Sequence, residues 1–343
     1  MGLPENCGLN LFSKRKKGRL NLITDVPGVK VGHVTINDGD IHTGVTAVLP
    51  HENNIFKEKV MAGVSVINGF GKSIGLIQID ELGTIETPII MTNTLSIGSA
   101  WNGLTRYMLE QNEDIGVSTG TVNCVITECN DGRLNDIRGL HVQEENVRQA
   151  IDAADSTFEE GAVGGGTGMV CLGLKGGIGS SSRVLEIDGS EYTVGALVMS
   201  NFGSAGNLNI GGTHYDTSKA AASKKDKGSI IMLIATDVPL SERQLKRVAK
   251  RATISLGRTG SYCGNGSGDI AIAFTTANRL SHYSDKNILE YKMFYDDNID
   301  MVFEAAVEAV EESIISSLWH ADTTIGIRNN KYMGLQEFLD KFE

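Results

Sequence analysis

The chain has 343 residues, enough for one large core. It carries 31 Lys and Arg against 42 Asp and Glu, a formal charge of −11, which argues against a polyanion such as nucleic acid as partner. Only 5 prolines and no biased tract exclude the composition of a disordered chain, while 41 glycines announce tight turns and close backbone approaches.

Five cysteines (Cys7, Cys124, Cys129, Cys171, Cys263) lack zinc spacing and fall largely in apolar runs, as reduced core cysteines do. No secretory core follows the start, and Asn6 stands where a myristoylation signal has Ser or Thr. No apolar run approaches the ~20 residues of a membrane span. The expectation is a cytoplasmic protein without a membrane partner.

In chain order, the first twenty residues are polar and basic, with a cluster at Lys14–Lys17, and read as loosely ordered. Short β-branched runs then alternate with Gly and Asn turns, predicting strands at Val29–Val34, Thr43–Leu49 and Val60–Val66. Helical and strand fragments follow, up to Pro88–Asn93. Ile97, Trp101, Leu104 and Met108, at spacings of three and four, predict a helix over Ser96–Leu109. Glu144–Ala154 suits another. Met169–Leu174, Arg183–Ile187 and Tyr192–Met199 read as strands. Thr213–Gly228 is polar, small and charged, an exposed loop of the kind that is cut. It stops at Ser229, where Ile230–Thr236 begins a continuous apolar run, best explained as a strand covered on both faces. Ser241 with Gln244 three residues on marks a capped helix carrying Leu245, Val248 and Ala252. Asp269–Thr275 is a further strand. Met301–Leu318 is an amphipathic helix with Glu304, Glu308, Glu311 and Glu312 assigned to its wet side. No repeat and no linker divides the chain, so one α/β unit with packed sheets and outer helices is expected.

Several familiar motifs fail. Gly69-Phe70-Gly71-Lys72-Ser73 imitates the end of a P-loop, but Val66 occupies the required first Gly position. Ile74 likewise breaks a dinucleotide fingerprint. Ser267 has Asn265 and Asp269 where a nucleophile elbow needs Gly. Seven scattered histidines form no HExxH; His33, His51 and His141 read as turn or surface residues, and no metal site is indicated. The run Gly164–Gly168 fits a close backbone passage beside a catalytic centre or a neighbouring subunit, although such a run also binds phosphate in other settings.

What remains is a serine at the border of a cuttable loop and a buried strand. A serine hydroxyl is a weak nucleophile until a base takes its proton. No histidine is suggestively placed, but a free α-amino group on the same residue, with a pKa of ~7.7–8.0, suits the task. That amine exists only if the chain is cut between Gly228 and Ser229. Gly228, without a Cβ, can adopt the geometry that brings Ser229 Oγ to its carbonyl. The same letters also fit a plain strand start after a loop.

The longer motifs are more specific. They are Ile23-Thr24-Asp25-Val26-Pro27-Gly28-Val29-Lys30-Val31-Gly32-His33, Asn68-Gly69-Phe70-Gly71, Glu128-Cys129-Asn130-Asp131-Gly132-Arg133-Leu134-Asn135-Asp136 and Val163-Gly164-Gly165-Gly166-Thr167-Gly168-Met169. Asn201-Phe202-Gly203, Gly228-Ser229-Ile230-Ile231, Ala235-Thr236-Asp237, Arg258-Thr259-Gly260-Ser261 and Ser267-Gly268-Asp269-Ile270 complete the set. Through them the chain, from about Ile23 to Leu318, resembles the DmpA-like L-aminopeptidase/D-esterase family, which includes the β-peptidyl aminopeptidases. The resemblance implies a four-layer αββα sandwich, also found in ornithine acetyltransferases. It implies self-cleavage at Gly228–Ser229 into an α chain (1–228) and a β chain (229–343), and assembly as a tetramer of such pairs. Carried onto this sequence, Ser229 is nucleophile and, through its amine, base. Ser267 and Asp269 orient that centre, with Asp269 where Glu is frequent, and Asn201 supplies an amide to the oxyanion. Some members have a Tyr where Asn130 stands here. That Tyr is credited with helping the oxyanion, so Asn130 is a candidate substrate-site residue, and Glu128 and Asp131 are candidates for holding the free amine of a small peptide, amino-acid amide or ester substrate. No metal or organic cofactor is required. Two alternatives stay open: an ornithine acetyltransferase-like acyltransferase, whose usual nucleophile is Thr, and an uncleaved, non-catalytic relative.

Overall fold

Alternation along the apolar run after Gly228 sorts its side chains into two cores. Ile230, Met232 and Ile234 join one hydrophobic cluster, while Ile231, Leu233 and Ala235 join another. A strand buried on both faces lies inside a layered structure. The computed structural model describes residues 2–4, 7–11, 13–220 and 228–343. Of the loop expected before Ser229, residues 221–227 lie outside the described residues.

In chain order the principal strands begin with β1 (Lys30–Asp38), β2 (Ile41–Leu49), β3 (Glu58–Gly69), β4 (Thr84–Ile85), β5 (Ile89–Asn93) and β6 (Val125–Cys129). They continue with β7 (Gly177–Ile187), β8 (Ser190–Asn201), β9 (Ser229–Thr236) and β10 (Gly268–Ser281). The helices are α1 (Leu76–Leu82), α2 (Ile97–Gln111), α3 (Glu144–Asp152), α4 (Glu242–Arg258), α5 (Asp300–Trp319) and α6 (Leu335–Phe342). One sheet has the order β1-β2-β5-β6 and the other β4-β3-β10-β9-β8-β7.

The clusters define the layers. Val45, Ala47, Ile90 and Ile126 of the smaller sheet pack with Ala100, Leu104, Val147 and Ala150 of α2 and α3. The opposite face of that sheet, through Val31, Val48, Ile89 and Met91, meets Leu197, Met199, Ile231, Leu233, Ile270 and Ile272 of the larger sheet. The far face of the larger sheet packs on α4 and α5 through residues such as Leu245, Val248, Ala306 and Val310. The order helix, sheet, sheet, helix is the expected αββα sandwich. Helix α4 starts at the predicted capping box: Gln244 N donates to Ser241 Oγ at 3.3 Å, and Ser241 N to Gln244 Oε1 at 3.0 Å.

Four readings need correction. Residues 13–21 are pinned rather than loose. Ser13 Oγ donates to Glu308 at 2.8 Å, Lys17 Nζ lies 2.8 Å from Glu312, and Asn21 Nδ2 donates to Glu312 at 2.7 Å. For the same reason Glu308 and Glu312 are buried, not wet, and Glu311 is buried against Arg258 of α4 at 2.9 Å. Arg183, 1 % exposed, reaches Glu308 at 3.1 Å and Glu312 at 2.7 Å from the β7 side. Acids at helical spacing look solvated until cations from distant segments are seen to cover them. The Met169–Leu174 run is a tight hairpin of two short strands, Val170–Cys171 and Leu174–Lys175, turned by Leu172 (φ 51°) and Gly173 (φ 87°). His51 is 1 % exposed, with Nε2 2.7 Å from Glu58 O, and is no surface residue.

Candidate active site

Neighbouring strand ends converge where β9 begins. In the larger sheet Ser229 stands opposite Asn201, the last residue of antiparallel β8, and opposite Gly268, the first residue of parallel β10. Gly268 in turn faces Gly69 at the end of β3, and Asp269 faces Asn68. A register shift between Asp269 and Ile270 interrupts the ladder there, as bulges do beside functional sites. From the smaller sheet, β6 ends at Glu128 and Cys129 and leads into Asn130 and Asp131.

Ser229 is 5 % exposed. Its Oγ donates to the carbonyl of Gly228 at 2.8 Å and accepts from the Gly268 N–H at 3.1 Å. The hydroxyl therefore already touches the peptide group it would attack, and the Gly268 N–H fixes the position of Oγ itself. Gly228 is required sterically: a Cβ there would sit 1.9 Å from Asn201 O and 2.7 Å from Phe202 Cα. The chain can enter β9 beside the end of β8 only without a side chain.

Ser267 and Asp269 flank Gly268, and Ser267 Oγ donates to Asp269 Oδ1 at 2.5 Å in a buried setting. Asn68 holds this turn. Its Nδ2 donates to Gly264 O at 3.1 Å and Asn265 O at 3.3 Å and closely contacts Ser267 O. Asn68 lay inside a quoted motif, yet its role was invisible because its partners are some two hundred residues away.

Asn201 is 3 % exposed and held at both ends of its amide. Val170 N donates to Oδ1 at 2.9 Å, and Nδ2 donates to Asn130 O at 3.0 Å. An amide nitrogen carries two N–H groups. One orients Asn201 and the other remains available to a developing oxyanion.

The three substrate candidates separate. Glu128, 3 % exposed, accepts from Lys72 N at 2.8 Å and closely contacts Thr94 Oγ1. A Cβ on Gly71 would lie 3.3 Å from Glu128 Oε1 and 3.8 Å from Gly268 Cα, so Gly71 lies between this carboxylate and the Ser267–Asp269 segment whose Gly268 N–H meets Ser229 Oγ. Asn130 is exposed, but its Oδ1 caps its own turn at Gly132 N, 2.9 Å away, and its backbone carbonyl is the part that meets Asn201. Asp131 is fully buried and accepts from Asn135 Nδ2 at 3.0 Å. Burial pushes its carboxyl up to about 7, against the lowering effect of hydrogen bonds from Thr43 and Asn135.

The glycine run Gly164–Gly168 threads between the two sheets beside this centre. A Cβ on Gly165 would lie 2.8 Å from Met91 O and 2.9 Å from Met199 Sδ, and one on Gly166 would lie 2.6 Å from Ile178 N. Close passage accounts for these glycines. Among the described residues, no three His, Cys, Asp or Glu side chains are grouped as metal ligands. Among those residues too, no helix is long and apolar enough to cross a membrane.

The model of peptidase family S58 matches residues 21–332. Beta-peptidyl aminopeptidase BapA of Sphingosinicella microcystinivorans is 39 % identical over 339 residues, covering 91 % of this chain and 84 % of that protein. The crystal structure of the PH0078 protein from Pyrococcus horikoshii OT3 superposes with a TM-score of 0.92 at 56 % identity, covering 97 % of this chain and 96 % of that one. The L-aminopeptidase D-Ala-esterase/amidase of Ochrobactrum anthropi, described as a variant of the Ntn hydrolase fold, gives a TM-score of 0.89 at 37 % identity over 96 % of this chain and 95 % of that one. On the family match and these near full-length similarities, the chain belongs to peptidase family S58.

Proposed function

We propose that this serine aminopeptidase is made by self-cleavage between Gly228 and Ser229, and that Ser229 then serves as both nucleophile and base. The observation that carries the reading is the contact of Ser229 Oγ with the Gly228 carbonyl, with the Gly268 N–H on the same oxygen. Ser229 Oγ attacks the Gly228 carbonyl carbon, the C–N bond breaks, and the hydroxyl proton passes to the nitrogen. Water hydrolyses the resulting ester, leaving a carboxylate on Gly228 and a free amine and hydroxyl on Ser229. The products are residues 1–228 and 229–343 of one domain.

In turnover the Ser229 amine takes the Oγ proton as the hydroxyl attacks a substrate carbonyl. The free N–H of Asn201 stabilises the oxyanion, while the Gly268 N–H holds Oγ in place. The Ser267–Asp269 pair orients the amine side of the centre. The leaving amine departs with the proton, and water releases the acyl group. Glu128 is the acid proposed to hold a substrate's free amine, since only Gly71 separates its carboxylate from Gly268 beside Ser229. Asp131, enclosed behind Asn130, acts on substrate only indirectly. The substrates are small peptides, amino-acid amides or esters, as the names of the similar enzymes suggest. The serine nucleophile and the family assignment favour hydrolysis over acyl transfer.

We also propose a cytoplasmic homo-oligomer, a tetramer of cleaved pairs. The irregular segment before α5 presents Ile288 (82 % exposed), Met293 (64 %) and Tyr295 (66 %), an apolar surface suited to a second copy.

The test is the intact mass of the wild-type chain beside Ser229→Ala. Two fragments meeting at Gly228/Ser229 in wild type and one uncut species in the variant are expected, with hydrolysis lost in the variant. Uncut wild-type protein that hydrolyses substrate, or an active Ser229→Ala variant, would refute the assignment.

A further inference from the structure

Lys175 is the one Lys or Arg side chain among the described residues that is wholly buried without a carboxylate in ion-pair contact. It closes the short hairpin Val170–Lys175, and its Nζ donates to three backbone carbonyls: Gly166 at 3.2 Å, Met169 at 3.0 Å and Gly176 at 2.5 Å. Three acceptors match the three N–H bonds of an ammonium. Burying such a group is expensive unless its hydrogen bonds are complete, so a side chain placed here has a task that an apolar residue would not perform.

The contacts point to that task. Gly166 lies within the glycine run that passes between the sheets and Met169 directly follows it, and the next residue, Val170, donates its N–H to Asn201 Oδ1 at 2.9 Å. The ammonium thus ties the carbonyls on the near side of the peptide unit that grips the Asn201 amide. On the other side of Asn201, the Asn130 carbonyl accepts from Nδ2 at 3.0 Å, and the adjacent Asp131 is anchored by Asn135. Cys171 and then Asp131 act on Lys175 with opposite sign, Asp131 pairing with it only through space, and His42 is a further titratable neighbour. The two jaws that hold Asn201 are each backed by one member of this separated pair.

We infer that Lys175 is a positioning residue for the oxyanion site: its ammonium fixes the Gly166–Val170 turn so that the Val170 N–H sets the rotation of the Asn201 amide. This rests on the reading of Asn201 as an oxyanion donor. It differs from a general stabilising role, because the effect on rate passes through Asn201 alone.

The experiment is a double-mutant cycle of Lys175→Met and Asn201→Ala. It uses the amino-acid p-nitroanilide that the wild-type chain cleaves fastest, with rates expressed per processed Ser229. Asn201→Ala is expected to lower kcat by about 10²–10³-fold, as for loss of one oxyanion donor. Lys175→Met is expected to lower kcat by about tenfold with KM within about twofold, the pattern of an interaction felt in the transition state. The double variant should be within about twofold of Asn201→Ala, since residues acting through one another are not additive. Additive losses, or wild-type kcat in Lys175→Met, would overturn the inference. An Asn201→Ala variant with wild-type kcat would instead refute the oxyanion reading beneath it. If Lys175→Met is insoluble, Lys175→Gln, which keeps an N–H donor, is measured in the same cycle. If neither variant folds, Lys175 is structural and the inference fails.

Discussion

Two buried cations in this molecule are solvated in opposite ways. Arg183 is surrounded by charge: Glu308 and Glu312 on α5 take its guanidinium, and Lys17 and Asn21 complete Glu312. Lys175 is surrounded by dipoles: three carbonyls and no carboxylate in contact. Their acidic neighbours respond accordingly. Burial raises the Glu312 carboxyl, but Arg183 and the contacts from Lys17 and Asn21 outweigh it and hold the pKa below 4.5. Asp131, with hydrogen bonds but no touching cation, is pushed up to about 7 by burial. Lys175 is pulled down to about 7, also by burial. The first arrangement is a clamp that fastens residues 13–21 and β7 to α5. The second borders a reaction centre, where polar groups are spent on holding an amide in one orientation.

Three experiments break or sharpen this contrast. The largest effect is expected from Arg183→Met, which leaves two buried carboxylates facing each other. Removing one partner of a buried ion pair costs about 3–5 kcal/mol. Chemical denaturation should register that loss while kcat per processed Ser229 stays unchanged. A large fall in kcat with unchanged stability would erase the distinction between clamp and reaction centre.

The second experiment uses pH. Glu312 has a folded pKa below its ordinary 4.5, so its contribution is present above that value and is lost as pH falls through the folded pKa. Asp131 is raised from 3.8 to about 7, so its contribution is full below 3.8 and is lost as pH rises through about 7. Melting temperatures of Glu312→Gln and Asp131→Asn, each compared with wild type across pH, should diverge. The deficit of Glu312→Gln shrinks on acidification below about 4.5, and that of Asp131→Asn shrinks between about 4 and 7 as pH rises. Parallel trends would show that the two sites do not differ electrostatically.

The smallest effect belongs to Ser241→Ala, remote from both cations. Losing the cap of α4 should cost about 1 kcal/mol with no change in kcat. A catalytic effect would mean that the larger sheet transmits strain from its helical face to Ser229.

Much of the layered fold was legible from patterns. The continuous run Ile230–Thr236, the spacing of α2 and the Ser241 box each became the predicted element within a few residues. The start of β7 was not legible, because Gly177-Ile178-Gly179-Ser180-Ser181-Ser182 has loop composition. Those small residues are needed because α5 crosses closely: a Cβ on Gly179 would lie 2.0 Å from Ser313 O. Helix α6 was also missed, being short and far from any strong signal.

By itself the sequence determined the alternation that makes β9 a central strand, the small residues that let the chain pass at Gly228 and Gly164–Gly168, and the family motifs that name Ser229. These properties follow from local sterics and period, which a linear string carries in full. Tertiary structure decided which groups surround the serine and what each one touches. It put Asn68 on the Ser267 turn, Lys175 behind Val170, and Asn201 between Val170 and Asn130. It also turned the acids of α5 inward by bringing cations from residues 13–21 and from β7 to meet them. Partners so distant in the chain leave no periodic trace, because an ion pair or an aimed amide depends on distance in space and not on separation in sequence.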